Sequence, residues 1–284
     1  MPVVQVLEHT PQEGPYAIGD ALRVAGLPLR VCRILRACGL PAEGPYRVIV
    51  ADTGGRRAGL AEGALAEVVA RLGPGPAAVG RLPEGTAFAV VPEADGVPIP
   101  VAMSEVWPLV AACAPPLPLH GGVGAPAAGP LQLPGALVEA RYALASARSA
   151  APETSLLTDA ATLTSLGTLL AGVPAEVRTA YSRSVLGPLL DIKNASAAPL
   201  LETLKFFLAC DGSWARTAEA LHLHVNTVHY RVQRIEHFTG RDLSSLSDRL
   251  DLWTALLCRT NPALPATSGL PTDRRARSST SRAR

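Results

Sequence analysis

Apolar positions in this chain recur with two different periods. Between Tyr46 and Ala150 short β-rich runs alternate with helical stripes, whereas beyond Ser196 apolar residues return every three or four positions. The run YRVIVADT from Tyr46 predicts a strand. Arg57 to Leu72, with Leu60, Ala64, Leu65, Val68, Val69 and Leu72 on one stripe, predicts a helix. Ala77–Leu82, Thr86–Val91 and Leu117–Gly122 predict three more strands, and Ser104–Cys113 and Leu137–Ala147 two more helices, so residues 46–150 form an alternating α/β domain. Ahead of it, residues 1–45 mix Pro, Gly and short apolar runs. One of these, RVCRILRACGL (Arg30–Leu40), predicts a helix ending at Gly39, and the pattern assigns the segment no role. Residues 151–195 predict a helical linker: Ser155–Leu170 as one helix through Leu156, Leu163, Leu166, Leu169 and Leu170, then Pro174–Asp191 in shorter pieces. Residues 261–284 hold five arginines against one aspartate and no apolar periodicity, which predicts a disordered basic tail, either a solvated end or an arm that touches phosphates.

Residues 196–260 are the most regular part. Leu200, Leu201, Leu204, Phe207 and Leu208 make a stripe stopped by Gly212. Ser213 can cap a short second helix with Trp214, Ala218 and Leu221 inward; a turn over His222–Val225 places Leu223 inside. Asn226 is a good N-cap for a third helix that reaches about Phe238 before Gly240. Ser245 with Asp248 suggests a capping box for a fourth carrying Leu250, Leu252, Trp253, Leu256 and Leu257. This is an all-α, four-helix domain in which a short helix, a short turn and a longer helix follow one another, the order of a DNA-reading helix-turn-helix. At about 100° per residue, Val228, Val232, Ile235 and Phe238 share one side of the third helix, and Asn226, Tyr230, Gln233 and His237 the other. Amide and hydroxyl groups there can address base edges, and Thr227 with the backbone N–H groups of the first turn can hold a phosphate. Arg234 flanks the exposed side and suits a phosphate. Arg231, at the border of the buried side, has two equal readings, a DNA contact or a pair with Glu219, Asp248 or Asp251.

Composition localises this chemistry. A net charge of +2 over 284 residues does not advertise nucleic-acid binding over the whole surface, so a basic footprint has to be local. Positive charge is nearly all arginine which, with abundant Ala, Gly and Pro, suggests a GC-rich bacterial genome. Five cysteines without a CxxC pair, no basic start followed by an apolar run, and apolar windows too short to span a bilayer predict a cytoplasmic, nucleoid-associated protein without a membrane segment.

The stretch AEALHLHVNTVHYRVQRIEHFTGRDLSSLSDRLDLWTALL resembles the C-terminal domain of the PucR and CdaR type of transcriptional regulators, through Leu221, His224, Asn226, Thr227, Tyr230, Arg231, Arg234, Ile235, Gly240, Asp248, Arg249, Leu250, Ala255 and Leu256. The resemblance implies a Fis-like helix-turn-helix whose third helix enters the major groove, adding His229 to Asn226, Thr227, Tyr230 and Gln233, and it points to activation. More weakly, Tyr46–Arg148, with GGVGAPAAGPLQLPGALVEARYALASAR, is similar to the degenerate GGDEF-like domain of such regulators, largely through Glu139, Ala140, Ala143 and Leu144. Where a diguanylate cyclase places its acidic hairpin this chain has LPEGTAFAVV (Leu82–Val91), without the paired carboxylates that hold catalytic metal, so no enzyme activity, catalytic residue, metal or cofactor is expected.

Other motifs have plainer readings. HGGVGAPAAG mimics a dinucleotide loop but lacks the passage from GxGxxG into a helix. His222, His224 and His229 have no cysteine partners at metal-ligand spacing, and Trp214 and Trp253 sit on apolar stripes and read as core. The expected partners are double-stranded DNA, a second copy in a homodimer and a small-molecule effector. The competing function is a nucleotide- or metabolite-binding or cyclase-like module in 46–150 with an accessory DNA domain; a third reading makes the α/β domain a dimerisation scaffold without a ligand.

Overall fold

The computed structural model describes residues 4–6, 35–54, 59–73, 75–93, 98–113, 117–190 and 197–259. The start of the helix expected from Arg30, the first residues of the helix expected from Arg57, and the basic tail lie outside them. The chain divides into two compact units between Thr179 and Ala180.

The first unit is a six-stranded mixed sheet. Its strands are β1 (Val4–Val6), β2 (Tyr46–Asp52), β3 (Ala77–Arg81), β4 (Ala87–Pro92), β5 (His120–Val123) and β6 (Leu156–Asp159), in the spatial order β1-β3-β4-β2-β5-β6. The pairs β1–β3 and β5–β6 are parallel and the inner pairs antiparallel. Strand β2 is central, and a strand covered on both faces must be apolar at successive positions, as Val48, Ile49, Val50 and Ala51 are. Tyr46, Val48 and Val50 point to one face, with Phe88 and Val90, and are covered by α3 (Leu133–Ala150) through Leu133, Leu137, Ala140 and Leu144. Ile49 and Ala51 point to the other, with Val79 and Ala89, under α1 (Leu60–Leu72) and α2 (Ile99–Cys113). Arg47 is buried beside this core because its guanidinium donates to Glu93 Oε2 at 3.0 Å and to the Gly124 carbonyl at 3.0 Å. The end of the helix expected at Gly39 is present: Leu40 N–H donates to Leu35 O and Gly39 N–H to Arg36 O, a Schellman ending in which Gly39 takes φ +73°.

The glycines of HGGVG are packing residues. A Cβ on Gly122 would lie 2.1 Å from Ala140 O, one on Gly124 2.2 Å from Ala136 O, and one on Gly121 2.4 Å from the Trp107 ring. Helix α3 therefore lies directly on the backbone of β5, and the indole of α2 closes the opposite face, its Nε1 donating to Leu119 O at 3.3 Å.

The region expected as a helical linker is different. Leu156–Asp159 is strand β6, paired in register with His120–Val123, and not the start of a helix through Leu170. Asp159 then caps a 3-10 turn, and Ser165 caps the short α4 (Leu166–Ala171) with a complete capping box. The leucines of this stretch mimic helical spacing, but two caps within it divide it, and β5 without β6 would leave an unpaired edge. Helix α5 (Ala175–Leu186) and the 3-10 turn Gly187–Leu190 follow, and Val185, Leu186 and Leu189 belong to the core of the second unit. Helix α2 also starts earlier than Ser104, at Ile99. None of the helices among the described residues is long and apolar enough to cross a membrane.

Gly122→Ala should lower the unfolding stability of the first unit by about 2–3 kcal/mol, measured as a shift of its denaturant midpoint. Gly63→Ala in α1, where a Cβ meets nothing within 4 Å, should be neutral or stabilising.

Candidate nucleic-acid interface

After the end of α5, the second unit contains four further helices among the described residues: α6 (Ala197–Ala209), α7 (Trp214–Ala220), α8 (Val225–Thr239) and α9 (Leu246–Arg259). Helix α6 buries Leu200, Thr203, Leu204 and Phe207 and ends in a Schellman motif, Gly212 N–H to Phe207 O and Asp211 N–H to Leu208 O. Asp211 takes the left-handed conformation at φ 54° and Gly212 follows at φ 76°, so the stop expected at Gly212 involves both residues. Ser213 then caps α7, accepting from Arg216 N–H, as its position suggests. Inside α7, Thr217 is buried with its hydroxyl returned to Ser213 O at 2.7 Å, which lets a polar side chain sit in the core.

The turn repeats the device. Leu223 N–H donates to Ala218 O and His222 N–H to Glu219 O, and His222 occupies the left-handed position at φ 53° without being glycine. The cap of α8 is His224, whose Nδ1 accepts from Asn226 N–H at 3.2 Å, and not Asn226 as its residue type suggests; Asn226 lies inside the first turn. Thr227 N–H donates to His224 O at 2.9 Å. The two N–H groups expected to be open to a phosphate at Asn226 and Thr227 are therefore committed within the chain.

Val228, Val232 and Ile235 are buried to 1% exposure or less, and they fix which side of α8 faces outward. Asn226, His229, Tyr230, Gln233 and His237 are exposed, Tyr230 at 60%, while Thr227, Arg231 and Arg234 are half-buried. Three of these side chains are held. The His229 ring stacks on Trp214 at 3.8 Å between centroids and 11° between planes, and Trp214 tilts against buried Phe207 at 4.8 Å. Trp214 is thus both the outer layer of the core and a platform, a role its apolar stripe does not reveal. The Arg234 guanidinium lies over the Tyr230 ring at 5.9 Å and the Phe238 ring at 5.3 Å, within cation–π range. Arg231 Nη1 donates to Thr203 Oγ1 at 3.1 Å, and that hydroxyl donates to Pro199 O at 2.8 Å.

Arg231 pairs with none of the three carboxylates expected for it. Asp248 and Asp251 are taken by Arg241, which contacts Asp248 at 3.3 Å and Asp251 more closely. Asp248 also accepts Asp242 N–H at 2.8 Å and Tyr181 donates to Asp251 at 3.3 Å, so the carboxylates anchor the loop between α8 and α9. Ser245 does accept from Asp248 N–H. Within this network the hydrogen bond to Asp251 raises the Arg241 guanidinium further above its ordinary value, and burial followed by the Asp251 charge raises the Tyr181 phenol. Hydrogen bonds from Ser244 hold the Asp242 carboxyl below its ordinary range. Neither Thr203 as the partner of Arg231 nor His224 as a cap was evident beforehand; an imidazole two residues before Asn226 was the available signal for the cap, and the first contact crosses 28 residues with no local signature.

The outward face presents amides, a phenol, imidazoles and a guanidinium, groups that donate and accept hydrogen bonds, on a helix set behind a shorter helix and a tight turn. Residues 200–258 match the PucR C-terminal helix-turn-helix domain, and residues 27–146 the GGDEF-like domain. The chain thus carries a PucR-type helix-turn-helix domain behind a GGDEF-like domain. The GGDEF-like match takes in residues 27–45, ahead of the strand at Tyr46. Similar proteins include the uncharacterized protein in the pkwA 5′ region of Thermomonospora curvata, 44% identical over 77 residues, 27% of this chain and 42% of that protein. The transcriptional activator PmfR of Paenarthrobacter nicotinovorans is 36% identical over 119 residues, 39% of this chain and 25% of PmfR. The chain spans less than half the length of either relative. The crystal structure of a regulator of polyketide synthase expression from Bifidobacterium adolescentis aligns with 85% of this chain and 98% of its own at 23% identity, with a TM-score of 0.36, too loose a superposition to carry an argument.

His222→Gly should stabilise this PucR-type helix-turn-helix domain by roughly 0.5–1 kcal/mol, because glycine adopts the left-handed turn without the Cβ penalty. Thermal unfolding of the full chain checks this; a loss of stability would show that the imidazole itself holds the turn.

Proposed function

We propose that the chain is a sequence-specific transcriptional regulator that binds double-stranded DNA as a homodimer, with α8 of each copy in the major groove. The observation that carries this reading is the division of α8 into a fully buried apolar face and an outward face of hydrogen-bonding side chains, within a PucR-type helix-turn-helix. Asn226, Tyr230 and Gln233 are the base-reading candidates, since amides and a phenol can discriminate base edges. Thr227 and His229 stand at the border between bases and backbone. The half-buried Arg234, supported by two rings, is the phosphate contact. Arg231 acts as a positioning residue, tying the reading helix to α6 through Thr203. The printed name of PmfR favours activation of transcription as the output.

The α/β unit is read as a regulatory module and not as a cyclase. In the turn between β3 and β4 Glu84 is ion-paired with Arg141 at 3.0 Å, and Leu82–Val91 contains no second acid to share a metal with it. A small-molecule effector would fit the open groove of about 520 Å³ between α2 and β6, lined by Val101, Ser104, Trp107, Leu157, Asp159 and Thr162. A chain that binds DNA works in the cytoplasm at the nucleoid, where the thiols Cys38, Cys113 and Cys210, none of them in a disulfide, stay reduced.

Gel shifts with a duplex obtained by in vitro selection test the proposal. Asn226→Ala combined with Tyr230→Ala should weaken binding to that duplex by about 2–5 kcal/mol and erase its preference over scrambled DNA. Arg234→Ala should weaken all sequences alike and lower the salt slope by about one phosphate contact. Parent-like binding by the double variant would remove α8 from the reading role.

A further inference from the structure

A column of rings climbs from the core of the second unit to the outward face of α8. Phe207 is buried at its foot, and Trp214, half-buried at the start of α7, tilts against it with 4.8 Å between centroids. Exposed His229 lies flat on the indole, at 3.8 Å between centroids and 11° between planes. One helix therefore fixes a side chain that another presents. Neither ring nitrogen of His229 has a hydrogen-bond partner among the described residues. His224 differs, because its Nδ1 is taken up in capping α8. The indole sets the plane of the His229 ring and leaves both of its nitrogens open.

A side chain that is free on a helix surface loses rotamer freedom when it binds, whereas a ring already held in one plane has lost most of it before a ligand arrives. What gains from such a ring is an acceptor at a fixed place. A phosphate carries its negative charge on oxygens that accept from many directions, and a mobile cationic side chain serves it well; a base edge presents its acceptors at set positions in the groove. On α8, His229 stands three residues after Asn226 and four before Gln233, at the flank of their stripe that faces α7, and Arg234 stands on the opposite flank. We infer that His229 reads a base, a guanine whose N7 and O6 accept its N–H, and that Trp214 is the positioning residue for this contact. Guanine is the base with two adjacent acceptors in the major groove. Adenine sets an amino donor beside its N7, cytosine offers a donor, and thymine sets a methyl group beside its one acceptor. The inference rests on the reading role of α8 proposed above and names one base within it.

In vitro selection repeated with variants of the full chain, followed by gel shifts on duplexes carrying single base changes, is the test. The parent should require guanine at one position of each half-site, and replacing that guanine should weaken binding by about fivefold or more. His229→Ala, at an exposed position, should lose this preference and keep the others. Trp214→Leu or Trp214→Met, whichever keeps the parent's fold, should lose it at the same position, whereas Trp214→Phe, which leaves a ring beneath the imidazole, should retain most of it. A chain carrying both changes should discriminate no worse there than His229→Ala alone. Denaturant midpoints measured alongside separate reading from stability, since a merely destabilised domain binds every duplex less tightly in equal measure. Three results overturn the inference: His229→Ala weakening all duplexes alike with a salt slope lower by about one, the mark of a phosphate contact; loss of a preference for a base other than guanine; or a folded Trp214 variant without a ring that prefers guanine as strongly as the parent. A parent that selects no sequence overturns the DNA-reading proposal and this inference with it, whereas a parent preference that survives His229→Ala intact overturns this inference alone.

Discussion

The burial of Val228, Val232 and Ile235 is the constraint on which the second unit depends. Each side chain removed from water contributes about 1.5–3 kcal/mol, and the three lie on one side of α8 against Leu200, Leu204, Phe207 and Ala218. No rotation of α8 that exposed Tyr230 less would keep all three buried. The hydrophobic core therefore selects which polar groups reach the outside. The two left-handed residues other than glycine among the described residues, Asp211 and His222, reverse the chain tightly enough for α7 to pack against both α6 and α8. Held side chains then refine the surface: Trp214 supports His229, two rings support Arg234, and Thr203 draws Arg231 inward.

The first unit follows a different constraint, the closeness of α3 to β5. Glycine at 121, 122 and 124 removes the side chains that would hold α3 and Trp107 off this segment, and the same absence of side chains gives it its likeness to a nucleotide loop. Those glycines serve packing, and they leave the region without the helix N-terminus that a phosphate would need. Arg47, bonded to both Glu93 and Gly124 O, ties the central strand to the segment after β5.

What was legible in the sequence was what local pattern controls. The strand at Tyr46, the cap at Ser213 and the glycine ends at Gly39 and Gly240 are each written within a few residues, and all appear in the structure. Strand β6 was hidden because its identity depends on a partner: Leu156 and Leu157 extend because His120–Val123 offers an open edge, which spacing within 151–195 cannot express. The charge partners of α8 were hidden for a similar reason. Arg231 had three plausible acids by position, but Arg241 sits closer to two of them, and a buried hydroxyl 28 residues upstream takes the guanidinium. For the candidate site, the division of faces on α8 was readable, whereas the N-cap and the side-chain supports depended on three-dimensional neighbours.

The central claim is that the outward face of α8 lies against DNA bases. Photo-crosslinking from the full chain tests it most directly, with a benzophenone side chain placed at Gln233 on that face and, separately, at Glu202 on the exposed side of α6. The account predicts covalent capture of bases in the selected duplex from position 233 and none from position 202. Equal capture from both positions, or capture from 202 alone, would contradict it.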